Sequence, residues 1–573
     1  MPPLTKTLLT RRTLVSIAAI AFLVHARALG AGLVFDDRGA ILENPVVQGD
    51  LDLGALFGTD FWGRPPGEGP GTWRPLVVLS FWLDKHLFGD SFHVTNVLMH
   101  AGTTVLFALA LARRTGRERL AIVAALAFGV LGIGTEAVAG VVGRADVMAA
   151  GLGFLSWLLW SEREGEPVEP RRMAGAALAF AGALASKESA IVLPLLFLLA
   201  DVLLAPAGKP VRIAWKRYVP LLGAGAAVLG LRALFFGSLL GVTRDVQANP
   251  LVGEGFAVRL WTSLRLFGMA LQRIVAPVNL SADYSYAAIL PDRSPFALGV
   301  LLGAVALGAV VAAAIVLRRK EPVLSLAAVT LLVPWLVMSQ VVFALPTIFA
   351  ERLLYLPAAG LAIAIGRLGE WALERRAGAM PPAGGKKKGK GAAAAAAAEV
   401  APIPADRWRM AALVVGPLLV GNAVLTWGRE AAWRSERTLF AAAIETTPSS
   451  ARAWNNYGTA LLNERQAADA IGPLERAITI LPTWSEPHAQ LGVALLEAGR
   501  PVAAEEHFRK AVQLDPELAK AVFNLSVYLA RQQRYAEAAE VLRPFVAKFP
   551  GRAREAALLR QIEADLASGG GKR

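Results

Sequence analysis

A chain of 573 residues that is 55% hydrophobic and only 18% charged, with mean hydropathy +0.47, is too apolar for an ordinary soluble protein. Its net charge of +14 does not point to nucleic acid, because the basic residues cluster in short loops flanking apolar runs. The absence of cysteine excludes disulfides and thiolate metal centres, and six scattered histidines offer no zinc spacing, so no metal is expected.

Apolar segments fall near 13–30, 94–112, 120–134, 138–160, 173–186, 189–206, 219–237, 256–279, 295–317, 323–345, 353–369 and 409–427. Several are short for the ~20 residues of a straight crossing. No small-residue cleavage site follows the first, so it reads as a retained span. The polar stretch 31–92, with Trp62, Trp73, Trp82 and several prolines, suits short helices lying at the interface.

Basic loops set the expected topology. Arg11 and Arg12 put the N-terminus inside and Asp36-Asp37 outside. Arg113, Arg114, Arg117 and Arg119 then fall inside, as do Arg171-Arg172 and the group Lys209, Arg212, Lys216 and Arg217. Arg318-Arg319-Lys320 and the lysines 386–390 follow that rule only if one segment between 219 and 294 does not cross. Segment 256–279, carrying Arg259, Arg265 and Arg273, is the candidate. About eleven spans result, with the C-terminal region outside.

Residues 370–406, with Pro381-Pro382, a lysine cluster and seven alanines, read as a flexible cytoplasmic linker. They separate a transmembrane domain over 1–369, with its outer loop 31–92, from a last span at 407–429. Over 430–566, prolines 448, 482, 516 and 550 recur every 34 residues. Trp454, Gly458, Ala470, Leu474 and Ala477 are followed in register by Leu491, Gly492, Ala504, Phe508 and Ala511, then by Leu525, Leu529, Ala538 and Leu542. This period and its small-residue pattern predict a tetratricopeptide solenoid whose concave face takes polypeptide.

Charges beside or within spans need a partner or a task. The candidates are Asp36 and Asp37, Arg74, Glu136, Arg144 and Asp146, Lys187 and Glu188, Asp283 and Tyr284, and Glu351 and Arg352. The derived topology brings them to one face, where an acidic base among cations suits an anionic phosphate substrate. For Arg144 and Asp146 the structural alternative is an ion pair inside the bundle. For Glu351 and Arg352 it is an ion pair between spans, for Asp283-Tyr284 a loop-anchoring contact, and for Asp36-Asp37 a helix cap or a surface acid pair.

The order of Phe35-Asp36-Asp37, Ile41-Leu42-Glu43-Asn44-Pro45, Trp73-Arg74-Pro75-Leu76, Phe92-His93-Val94-Thr95-Asn96-Val97-Leu98-Met99-His100, Thr135-Glu136-Ala137-Val138 with Gly143-Arg144, Ser186-Lys187-Glu188, Leu280-Ser281-Ala282-Asp283-Tyr284-Ser285 and Glu351-Arg352-Leu353-Leu354-Tyr355 resembles the transmembrane and tetratricopeptide-repeat O-mannosyltransferases and their bacterial relatives. Gly134 departs from that pattern, which commonly has histidine there. The resemblance implies an all-α, polytopic membrane GT-C bundle and a polyprenyl-phosphate-linked sugar as donor, with no other cofactor. It implies transfer of that sugar, mannose by similarity, to Ser/Thr hydroxyls of an extracytoplasmic protein, with inversion. It aligns Asp36 with the general base, gives Asp37 a supporting or sugar-binding role, and makes Arg352, Lys187, Arg144 and Arg74 candidates for the carrier phosphate. The alanine- and arginine-rich composition points to a high-GC bacterium, hence to a plasma membrane with site and repeats on its outer side. The competing readings are a non-catalytic scaffold whose repeats recruit partners, a transferase modifying a lipid or surface polymer, and a transporter. A scaffold needs only one span, and a transporter would show duplicated spans, which are not seen.

Overall fold

The computed structural model describes residues 8–69, 71–161, 169–205, 213–236, 245–341, 344–374 and 405–568, and every regular element among them is helical. The expected linker lies outside the described residues except at its two ends, as do Lys209, Arg212 and the lysine cluster. The chain divides into two compact units. The first comprises Met1–Asp245, Leu251–Leu280 and Pro291–Ser435, and the second Val246–Pro250, Ser281–Leu290 and Glu436–Arg573.

The first unit is built from α1 (Arg11–Val24), α2 (Pro75–His86), α3 (Phe92–Thr115), α4 (Glu118–Val130), α5 (Thr135–Ala139), α6 (Arg144–Trp160) and α7 (Pro170–Ser186). It continues with α8 (Leu193–Leu203), α9 (Tyr218–Phe236), α10 (Phe256–Val275), α11 (Leu298–Val316), α12 (Pro322–Met338), α13 (Tyr355–Glu374) and α14 (Ala405–Glu430). Proline opens several of these, as at Pro75, Pro170 and Pro322, where a missing N–H costs no helical bond. Gly116, in the left-handed region at φ 69°, ends α3 by donating to Ala112 O.

Among the described residues, six helical stretches are long and apolar enough to cross a membrane: Phe92–Thr115, Val141–Trp160, Trp215–Phe236, Leu298–Arg319, Glu351–Leu373 and Ala412–Arg434. The pair Glu118–Val130 and Gly132–Ala139, bent by 52°, makes a seventh if counted as one broken span. Other expected spans are shorter: α1 has 14 residues and α8 has 11, against the ~20 of a straight crossing. Close helix packing in this unit relies on small residues. A Cβ on Gly303 of α11 would sit 1.9 Å from Leu264 O of α10, so only glycine permits that approach.

The second unit contains α15 (Glu436–Thr446) and three helix pairs: α16 (Ala451–Asn463) with α17 (Ala467–Ile480), α18 (Ser485–Glu497) with α19 (Pro501–Leu514), and α20 (Ala519–Arg531) with α21 (Tyr535–Lys548). Helix α22 (Ala553–Ala567) follows. The repeated small position faces the repeated large one. A Cβ on Gly458 would meet Leu474 at 2.6 Å and one on Gly492 would meet Phe508 at 2.5 Å. Leu474, Phe508 and Leu542 all lie in one buried core. This is the helical repeat that the 34-residue period predicts.

Candidate active site

The polar centre of the first unit starts where the chain leaves α1. Val34 to Arg38 form a tight turn, in which Asp37 N donates to Val34 O at 3.0 Å and Arg38 N to Phe35 O at 3.3 Å. Phe35 sits at φ 54°, a left-handed conformation that bulky side chains rarely adopt. The turn aims the two adjacent acids apart. Asp37 is 1% exposed and accepts from Val142 N at 2.8 Å and Val34 N at 3.3 Å, so it anchors this loop to the start of α6. Burial pushes its carboxyl up to about 7, with the Asp36 charge adding to that and the main-chain N–H groups opposing it.

Asp36 stays partly open, its side chain 29% exposed, and faces the Arg352 guanidinium at 3.4 Å. Arg352 reaches in the other direction to Glu136 Oε1 at 2.5 Å, while its main-chain N–H donates to Glu136 Oε2 at 2.9 Å. Glu136 lies on α5, just past the bend after α4, and Arg352 lies in the tight turn Glu351–Leu354 that opens α13. Two breaks in helical segments therefore converge on one ion pair.

Lys187 follows the end of α7 and donates from Nζ to Asp146 Oδ2 at 2.5 Å. Burial lowers its ammonium to about 8; the Arg74 and Arg352 charges act the same way, and Asp146 opposes them. Arg74, which precedes α2, donates to Glu188 at 3.3 Å, and Glu188 is shared at 3.3 Å with Arg232 of α9. Asp36, Arg74, Glu136, Asp146, Lys187, Glu188 and Arg352 are thus brought together, with Asp37 immediately behind. Glu351 is buried in the turn beside Arg352. Among the described residues, no three His, Asp or Glu side chains converge as a metal site.

Three candidates are placed elsewhere. Arg144 is fully buried and pairs with Asp84 at 2.5 Å, not with Asp146. Its other donors go to Asn96 Oδ1 at 2.6 Å, Phe92 O at 2.8 Å and Ser80 O at 3.2 Å, and its guanidinium covers the Phe81 ring. It is a bracket between α2, α3 and α6, with its donors already engaged. Asp283 and Tyr284 belong to the second unit, where Asp283 accepts from Ser450 Oγ at 2.7 Å and Tyr284 OH accepts from Ser281 N at 3.1 Å.

Sequence reading passed over Asp84 and Arg232. Arg232 carried a usable signal, being the charge inside the apolar segment 219–237. Asp84 carried none, since it sits in the polar run Asp84-Lys85-His86 and only the fold buries it. A second polar group was also missed. His25 bonds Glu430 of α14 at 2.6 Å and packs its ring 4.6 Å from that of His100, which bonds Tyr355 OH at 2.7 Å.

A family model described as tetratricopeptide repeat matches residues 437–483 and 490–553. The human protein O-mannosyl-transferase TMTC3 is 24% identical over 536 residues, covering 88% of this chain and 55% of its own. Human protein O-mannosyl-transferase TMTC4 is 27% identical, covering 79% of this chain and 64% of its own. This chain resembles the transmembrane and tetratricopeptide-repeat O-mannosyltransferases over most of its length. Drosophila melanogaster protein O-mannosyl-transferase Tmtc2 is more similar over a shorter stretch, 34% identical across 47% of this chain and 30% of its own. The chain spans about half the length of the curated TMTC3 relatives it matches.

Proposed function

We propose that this protein is an integral-membrane glycosyltransferase that moves a sugar, mannose by similarity, from a polyprenyl-phosphate carrier to Ser/Thr hydroxyls of an extracytoplasmic polypeptide. The observation that carries this reading is the Asp36–Arg352–Glu136 constellation: a partly open carboxylate beside a cation that is itself held by a buried acid. A serine or threonine hydroxyl is a poor nucleophile until its proton is taken, and Asp36 is the base for that proton. The hydroxyl oxygen attacks the anomeric carbon as the bond from that carbon to the phosphate oxygen breaks, with inversion. The proton ends on Asp36 and the electron pair leaves with the carrier phosphate.

That phosphate gains negative charge as it departs, so cations aimed at it stabilise the transition state more than the ground state. Arg352 meets Asp36 only at 3.4 Å, a loose contact that a phosphate oxygen can replace, while Glu136 keeps the guanidinium in place. Lys187 spends one of its three donors on Asp146. Arg74 shares Glu188 with Arg232, so a phosphate drawing on Arg74 leaves that acid paired. Asp37 holds the loop that carries the base.

The repeats favour a polypeptide acceptor over a lipid or surface polymer. The names of the relatives, all protein O-mannosyl-transferases, support the same chemistry. The test uses the purified full chain in lipid nanodiscs with polyprenyl-phosphate mannose and Ser/Thr peptides. Removing the general base by Asp36→Asn is expected to lower kcat by about 10²- to 10⁴-fold. Equal transfer by wild type and variant would overturn the assignment of Asp36. A wild type that moves sugar from no polyprenyl carrier would favour the scaffold reading.

A further inference from the structure

The second unit is not made from the C-terminal residues alone, since the chain enters it earlier at Val246–Pro250 and Ser281–Leu290. A helical-repeat array needs a closing segment at its ends. At the first full repeat that segment is the loop Ser281–Leu290. Asp283 Oδ1 accepts from Ser285 N at 2.9 Å, Ser285 Oγ at 2.6 Å and Ser450 Oγ at 2.7 Å. Ser450 is the N-cap of α16 and accepts from Ala453 N at 3.0 Å, so the carboxylate lies at a helix N-terminus, where negative charge is favoured.

Further bonds join the same strands of chain. Thr447 Oγ1 lies 3.1 Å from Asp283 O and 3.0 Å from Ser281 Oγ. Ala287 N donates to Ser449 O at 3.0 Å, Ala451 N to Tyr286 O at 2.8 Å, and Tyr286 N to Gln247 O at 2.9 Å. Asp283 and Ser450 are buried at 5% and 0% exposure, which leaves this carboxylate no open face for a sugar.

Resting on the protein-acceptor reading above, we infer that Asp283 is a positioning residue. Through Ser450 it clasps the loop Ser281–Leu290 to the first full repeat, so that polypeptide held by the repeats is delivered to the transferase.

The test uses the full chain in nanodiscs with polyprenyl-phosphate mannose and two acceptors. One is a Ser/Thr-rich polypeptide of about 60 residues, ~200 Å when extended; the other is a peptide of about ten residues. Loss of one hydrogen bond to a charged group in Ser450→Ala or Asp283→Ala is expected to raise KM for the long acceptor about tenfold, with kcat unchanged. Transfer to the short peptide by Ser450→Ala should stay at the wild-type rate. Asp283→Asn keeps the Oδ1 acceptor and should restore the long-acceptor KM. Amide exchange at Thr447–Ala453 should accelerate in both alanine variants.

Loss of short-peptide transfer in Asp283→Ala but not in Ser450→Ala would show that Asp283 binds substrate and would overturn the inference. Faster exchange with an unchanged long-acceptor KM would reduce the clasp to a structural contact and also overturn it. Unchanged exchange in an active Asp283→Ala would remove the clasp while leaving the transferase reading intact. A wild type inactive on both acceptors would instead remove the transferase reading, and this inference with it.

Discussion

Burial gives the two adjacent acids different chemistry: Asp37 is 1% exposed and bonded to main-chain N–H groups of its own fold, whereas Asp36 keeps an open side toward Arg352. Their adjacency beside a span was visible in the sequence because charge there is costly. Their division of labour was not, because it depends on Val142, more than a hundred residues away. The raised Asp37 carboxyl makes a pH prediction with a defined sign. Its folded value, about 7, exceeds the usual carboxylate value, so between about 4 and 7 the folded protein binds more protons than the unfolded chain. Its contribution to stability therefore falls as pH rises through that window. Thermal denaturation of the detergent-solubilised protein across pH 4–8 should show wild-type Tm falling relative to Asp37→Asn and the difference levelling off above about 7. A difference independent of pH would refute the raised carboxyl. Arg352→Lys makes a second prediction. A lysine cannot bridge Glu136 and Asp36 as a planar fork does, so kcat should fall about 10²-fold while folding persists. Steady-state transfer, checked against gel-filtration behaviour, reads this directly.

At the scale of elements, Arg144 illustrates why partners are harder to read than charges. Arg144 and Asp146 are two residues apart on α6, and residues at that spacing do not face each other on a helix. Each turns to a different neighbour, Arg144 to Asp84 of α2 and Asp146 to Lys187 after α7. The tetratricopeptide helices were legible because their code is local and periodic. An anchoring contact by Asp283-Tyr284 was open to the sequence, but its partner was not, since nothing in the spacing of that loop announces Ser450. The buried Arg144–Asp84 pair yields a third prediction. Arg144→Met leaves the buried Asp84 without its countercharge, holding only the Thr95 hydroxyl at 2.6 Å, a loss of about 3–5 kcal/mol, whereas Arg144→Met combined with Asp84→Leu should recover most of it. Denaturation of both variants in the same detergent decides this. Equal losses would mean that Arg144 does more than bracket α2, α3 and α6.

At the scale of the membrane unit, the polar contacts sort into two sets, which the parity of the basic loops expects on opposite faces. One set joins Asp36, Glu136 and Arg352, Lys187 and Asp146, and Glu188 with Arg74 and Arg232. The other joins Arg114 to Asp201 at 2.7 Å, Arg117 to Glu370 at 3.1 Å, and Arg367 to Glu321 at 2.9 Å. These contacts bear on α10, which the sequence expects not to cross. On the topology expected from the basic loops, the spans between Arg117 and Glu370 are α4, α6, α7, α8, α9, α11, α12 and α13, an even number that returns the chain to its starting face. A crossing by α10 would make the number odd and separate this ion pair by the ~30 Å of a hydrocarbon core. The two ends of α10 agree with a helix lying along one face. Arg259 donates to Gln340 O at 2.8 Å beyond the end of α12, and Pro277 packs on Gly132 at the bend after α4, both of which the expected topology places outside when α10 does not cross. Because the native chain has no cysteine, single-cysteine variants report sidedness without background. Gly255→Cys, just before α10, and Gln272→Cys, in its last turn, should both react with a membrane-impermeant maleimide in sealed right-side-out vesicles, and Lys320→Cys should react only after permeabilisation. If Gln272→Cys also required permeabilisation, α10 would cross, and the outer assignment of Arg352 could not be kept together with its contact to Glu136.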